Sequence, residues 1–134
     1  MSKIDIIISK GFILSGIMNL SVLFFSRFFT NETIVKYDPI VMSNFGLLMI
    51  MVWGGVFLSV SKSFHHLKWL IGIFVIEKSI YGCMWINWLI HHNLSDVYQE
   101  DIMAGIFYSI YGINDWLFGL FFFLVFSYLI KSKK

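Results

Sequence analysis

The chain has 134 residues, 58% of them hydrophobic and 13% charged, with a formal net charge of +2. Soluble domains carry about 25% charged residues, so this composition excludes the ordinary soluble class. The small positive charge, with no basic patch, excludes a nucleic-acid binder. Cys83 is the only cysteine, which excludes an intrachain disulfide, a CxxC redox pair and a cysteine-rich zinc site. In its apolar run Cys83 reads as a small packing residue.

Four apolar runs reach the roughly 20 residues that a bilayer span requires. They cover residues 6–26, 40–60, 69–90 and 102–130. The predicted fold is therefore an all-α integral membrane protein, a single four-helix domain over residues 1–134. Lys10 lies low enough in the first run to snorkel to headgroups. No small-x-small cleavage pattern follows that run, so it is expected to remain as the first membrane helix. Asp38-Pro39 reads as a cap followed by proline at the start of the second helix. Gly54-Gly55, inside that helix, marks either a kink or a close-packing point. Asp96 and Gln99 read as a cap for the fourth helix, which is long enough to tilt or to begin outside the hydrocarbon. Tyr37, Trp69, Trp88 and Tyr98 fall near run ends and read as interfacial anchors.

The loops differ in charge. Lys3, Lys10, Lys62, Lys68, Lys131, Lys133 and Lys134 lie at the start of the first run or before it, between the second and third, or after the fourth. Only Arg27 and Lys36 lie in the other two loops. The positive-inside rule then puts both termini in the cytoplasm of a multi-pass cell-membrane protein.

Three ionisable residues interrupt the apolar runs: Glu77 and Lys78 in the third, and Asp115 in the fourth. Each costs about 2.5–3.5 kcal/mol at the centre of an isolated inserted helix, so pairing is expected. Neighbours on a helix diverge by about 100°, which makes Glu77 and Lys78 poor partners for each other. Lys78 with Asp115 is the expected pair. Two carboxyls against one ammonium leave one acid in excess. Asn19, Tyr81, Tyr111 and Asn114 fall at similar depth, and Trp53 and Trp85 are candidate aromatic walls. This set reads either as a polar-floored pocket for a ligand's amine or hydroxyl, or as a buried network that fixes helix register.

Gly105, Tyr108, Gly112, Asp115 and Gly119 recur at spacings of three and four and form one helical stripe. The three glycines are expected to admit a neighbouring helix closely, and Asp115 is expected to face inward. His91, His92 and Asp96 are weak metal candidates, because adjacent histidines diverge on a helix and no ligand-spacing motif is present. His65-His66 read as interfacial basic residues supporting their loop. No nucleophile motif, phosphate loop or HExxH occurs, so no catalytic residue and no cofactor are expected, and an enzyme ranks last.

The leading functional reading is a bilayer protein that binds a small amphipathic molecule or lipid. One alternative is a proton- or solute-coupled permease component, which four helices could form only as a homo-oligomer. Another is an accessory subunit or assembly factor, docking a membrane-protein partner through an exposed stripe of Gly105, Gly112 and Gly119.

Overall fold

The computed structural model describes residues 1–132, so Lys133 and Lys134 of the lysine asymmetry lie outside the described residues. The described residues are helical with no strand. In order they form α1 (Lys3–Leu20), α2 (Val22–Phe25), α3 (Glu32–Tyr37), α4 (Asn44–Val60), a 3-10 turn (Phe64–His66), α5 (Lys68–His91), α6 (Leu94–Glu100) and α7 (Ile102–Lys131).

Three of these units are long and apolar enough to cross a membrane: α1 with α2 (Lys3–Phe25), α5 and α7. The fourth apolar helix, α4, is shorter at 17 residues. Large apolar side chains cover the outer faces of the long helices, among them Ile17, Ile76, Ile80, Leu117 and Phe123. Cys83 is also on that outer surface rather than packed inside.

The caps differ from two of those expected. Asp38 does not start α4. Its carboxylate accepts from the Val41 amide in a turn, and the helix begins six residues later, where Ser43 Oγ accepts from the Gly46 amide at 3.1 Å. A serine oxygen directly before the first helical residue, Asn44, satisfies an orphan N–H that Asp38 is too far away to reach. Asp96 and Gln99 do not cap α7 either. They belong to α6, which Asn93 caps, while Asp101 accepts from the Ala104 amide at 3.0 Å to start α7.

Between α2 and α3, Arg27, Phe28 and Phe29 all adopt left-handed φ values of 49°, 58° and 65°. Such conformations cost about 1–3 kcal/mol each for residues with a Cβ and persist only where the surroundings enforce them. Here Asn31 donates to the Phe25 carbonyl at 3.2 Å and to Asp101 at 2.7 Å. Arg27 pairs with the same Asp101. Close by, Lys36 and Tyr37 both donate to Glu100, at 2.6 and 2.9 Å. Those two donors hold the Glu100 carboxyl below the usual carboxylate range. The α2–α4 connection and α6 thus form one cap across the end of the helices. Trp88 serves this cap from within rather than as a surface anchor. It is 3% exposed, donates to the Tyr37 carbonyl at 3.0 Å and stacks on Tyr108.

The long helices associate chiefly as two pairs, α1 with α4 and α5 with α7. Glycine sets both distances, in different ways. A Cβ on Gly54 would lie 2.9 Å from the Gly16 carbonyl oxygen, and a Cβ on Gly16 would lie 2.8 Å from the Gly54 oxygen. Gly54 is therefore a close-packing point, whereas a Cβ on Gly55 would meet open space. Along α7, Gly105, Gly112 and Gly119 are all buried. Gly105 lies under the Tyr98 ring of α6 and Gly112 under the Trp85 ring of α5, while Gly119 faces the stem of Lys78, with Cβ at 3.3 Å. The stripe is covered within the chain, so it is not an exposed docking surface.

Gly54→Val and Gly55→Val add the same side chain to adjacent positions of one helix. Overpacking against a backbone that cannot yield predicts a loss of about 1–3 kcal/mol for Gly54→Val. Thermal melting of both variants in detergent should show a lowered Tm for Gly54→Val and little change for Gly55→Val. Equal effects would contradict the close α1–α4 approach.

Candidate functional site

Lys78 is a fully enclosed side chain, 1% exposed, near the middle of α5. An ammonium in such surroundings must be paired and hydrogen-bonded to be tolerated. Its Nζ donates to Asp115 Oδ1 of α7 at 3.0 Å and to Asn19 Oδ1 of α1 at 3.0 Å. It also stands 5.0 Å from the centre of the Phe57 ring of α4. Asn19 passes the connection on, donating through Nδ2 to the Ile50 carbonyl of α4 at 2.9 Å. The pairing of Lys78 with Asp115 is thus present in the structure, and all four apolar helix units meet at it.

Glu77 is 7% exposed and points into the same interior. Its Oε2 is 4.0 Å from Lys78 Nζ, an ion-pair distance too long for a hydrogen bond, and it has no hydrogen-bond partner. Tyr111 Oη, on α7, is likewise buried without a partner. Both residues line a cavity of about 40 Å³ together with Asn19, Lys78, Tyr81, Asn114 and Asp115. A water requires about 10–15 Å³ by this measure, so the space suits about three waters or a small polar group.

The cavity walls are not those expected from the sequence. Trp53 packs against Phe57 and Phe74, away from the cavity. Trp85 covers Gly112 and donates its indole N–H to the Tyr108 carbonyl at 2.7 Å. Besides Tyr81 and Tyr111, the aromatic residues on the cavity are Phe25 and Phe107, joined by Met18, Val22, Ile50 and Ile110. An aromatic residue in an apolar run gives no sign of its direction without knowing which helices pair, and the sequence lacks a marker for this. Met18, Ser21, Ile110 and Asn114 stay half-buried, so the cavity reaches the surface between α1–α2 and α7.

On either side of this polar layer the packing is apolar and aromatic. Toward the chain termini, Phe12, Phe57, Phe74 and Phe122 form one cluster with ring centroids 4.9–6.3 Å apart. Toward α3 and α6, Phe107, Tyr108 and Trp88 belong to a second. In that second cluster Tyr108 donates to the Ile34 carbonyl at 2.6 Å.

The histidines are elsewhere. His91 and His92 each place Nδ1 near a carbonyl of their own helix, at 2.8 and 3.1 Å, and His92 stacks on Trp88. With Asp96 they form no ligand set: among the described residues no three His, Cys, Asp or Glu side chains are grouped to hold a metal ion. His65 Nε2 lies 2.9 Å from Asp5 Oδ1 and ties the α4–α5 turn to the start of α1.

No family model matches the chain, and no significant match is found among curated proteins or solved structures.

Breaking a buried ion pair by removing one partner leaves an uncompensated charge and costs about 3–5 kcal/mol, whereas removing both is far milder. Lys78→Met and Asp115→Leu should each lower the Tm, and the double variant should regain part of the loss. Additive losses in this double-mutant cycle would contradict the pairing.

Proposed function

We propose that this chain is a multi-pass cell-membrane protein whose central cavity binds the polar head of a small amphipathic molecule or lipid. One observation carries the reading. Glu77 and Tyr111 each hold a buried oxygen without a partner, and both residues line one cavity. A network serving only to fix helix register would leave no such pair, because each unsatisfied buried group costs about 1–3 kcal/mol. The apolar walls and the side opening suit a ligand whose head enters the protein while its chain stays in lipid. A permease would need a polar route to both faces, and the phenylalanine cluster around Phe12 and Phe122 stands on one side of the cavity.

The same proposal takes α4 as a fourth membrane helix. Seventeen residues rise about 25 Å, a little short of the roughly 30 Å hydrocarbon thickness. Local thinning accommodates such a mismatch at modest cost. The lysine asymmetry then places both termini in the cytoplasm and the α3–α6 cap outside. A reporter fused after Lys134 should be active only in its cytoplasmic form, and a reporter inserted after Asn93 only in its external form. The reverse pattern would overturn the topology.

Ligand binding is tested by filling the cavity. Purified protein in nanodiscs should bind at least one single-chain amphiphile saturably, beyond partition into empty nanodiscs. Ile110→Trp, on the half-buried edge of the cavity, should weaken that binding by about tenfold or more and leave the Tm nearly unchanged. Saturable binding that is indifferent to Ile110→Trp would contradict this site.

A further inference from the structure

The head group itself can be read from what the cavity offers, given the ligand-site reading above. Lys78 has three N–H donors. Two are committed to Asp115 and Asn19 at 3.0 Å, and the ammonium otherwise faces the Phe57 ring. One N–H remains, with Glu77 Oε2 at 4.0 Å and the Phe57 ring centre at 5.0 Å from the ammonium. The larger free capacity is that of an acceptor: Glu77 Oε2, 4.0 Å from Lys78 and bonded to nothing, and the Tyr111 hydroxyl, which can accept as well as donate. A carboxylate or phosphate head would meet two carboxyls, Glu77 and Asp115, against one remaining Lys78 N–H and the Tyr111 hydroxyl.

Charge separates the two remaining head groups, an alcohol and an ammonium. The cluster holds two carboxyls and one ammonium, and Asp115 is already committed to Lys78. A second ammonium would form an ion pair with Glu77 and balance the cluster. It would also supply three N–H donors where an alcohol supplies one. Phe25 and Phe107 on the cavity provide aromatic faces, which attract cations and are indifferent to alcohols. A primary ammonium occupies about the space of one water, within the 40 Å³ present, whereas a sugar or phosphodiester head exceeds the roughly three waters that fit.

We propose that the cavity takes the primary ammonium group of an amphipathic amine. Glu77 is its ion-pair partner, the Tyr111 oxygen accepts a second hydrogen bond, and the apolar chain leaves between α1–α2 and α7.

The test uses the full chain in nanodiscs with dodecylamine, dodecanol and dodecanoate as probes, each corrected for partition into empty nanodiscs. Dodecylamine should bind saturably and more tightly than either of the others. Loss of a charge-assisted hydrogen bond predicts that Glu77→Gln weakens dodecylamine by about tenfold to a hundredfold while leaving dodecanol unaffected. Tyr111→Phe should weaken the amine by a smaller factor. Should Glu77→Gln fail to fold, the order of the three probes on the native protein decides. Dodecanol binding as tightly as dodecylamine, or dodecylamine indifferent to Glu77→Gln, would overturn the amine assignment and leave the amphiphile site standing. No saturable binding of any probe, or binding indifferent to Ile110→Trp, would overturn both.

Discussion

The structure depends on how one lysine is satisfied. Lys78 is enclosed, so its charge must be met from within the chain, and the groups that meet it come from different helices. Asp115 brings α7, Asn19 brings α1, and Asn19 hands the connection to the Ile50 carbonyl of α4. The glycine contacts follow from this requirement. Gly16 and Gly54 bring α1 and α4 close enough for the short Asn19 side chain to reach a backbone carbonyl on the other helix. Gly119 leaves room for the stem of Lys78 beside α7. The two aromatic clusters then close over the polar layer from both ends and remove water that would otherwise compete for the ammonium. A polar centre inside apolar helices specifies register in a way that apolar contacts alone cannot, because a shift of one turn would strand a charge.

This dependence explains which parts were legible in the sequence. The helices announce themselves as uninterrupted apolar runs. The partner of Lys78 could be inferred because an unpaired charge in an apolar helix is so costly that few arrangements remain. Hydropathy carries no comparable information about caps. Asp38-Pro39 and Ser43 are both plausible starts, and the choice falls to the residue whose oxygen reaches an orphan N–H. Direction was equally hidden for Trp53, Trp85, Trp88 and Cys83, since each sits in an apolar run that looks the same on every face. The glycine stripe of α7 was visible as a pattern, but its occupants were not: aromatic rings fill Gly105 and Gly112. A close backbone approach instead pairs Gly16 of α1 with Gly54 of α4. Three consecutive left-handed residues at Arg27, Phe28 and Phe29 have no sequence signal at all. They are held by Asn31 and Asp101, the latter 70 residues beyond Asn31.

The same layer contains what the structural role does not use. Lys78, Asp115 and Asn19 are joined by hydrogen bonds that involve neither Glu77 nor the Tyr111 hydroxyl, so removing either would break none of them. On the proposed reading, that separation between a bonded network and two unsatisfied oxygens divides scaffold from ligand site. It also assigns the roles: Lys78 holds the helices, and Glu77, its neighbour in sequence, faces the space they enclose. The 100° step between successive helical residues makes both possible from one pair of positions.

The most direct test of this arrangement is the distance from the Lys78 ammonium to each acid in a bilayer, measured by solid-state NMR through the dipolar coupling of 15N-labelled Nζ to the 13C-labelled carboxyl carbons. The account predicts a strong coupling to Asp115, in keeping with a 3.0 Å hydrogen bond, and a weaker one to Glu77, whose nearer oxygen is 4.0 Å away. A coupling to Glu77 equal to or stronger than that to Asp115 would contradict it, because Glu77 would then belong to the scaffold and the cavity would lose its free acid.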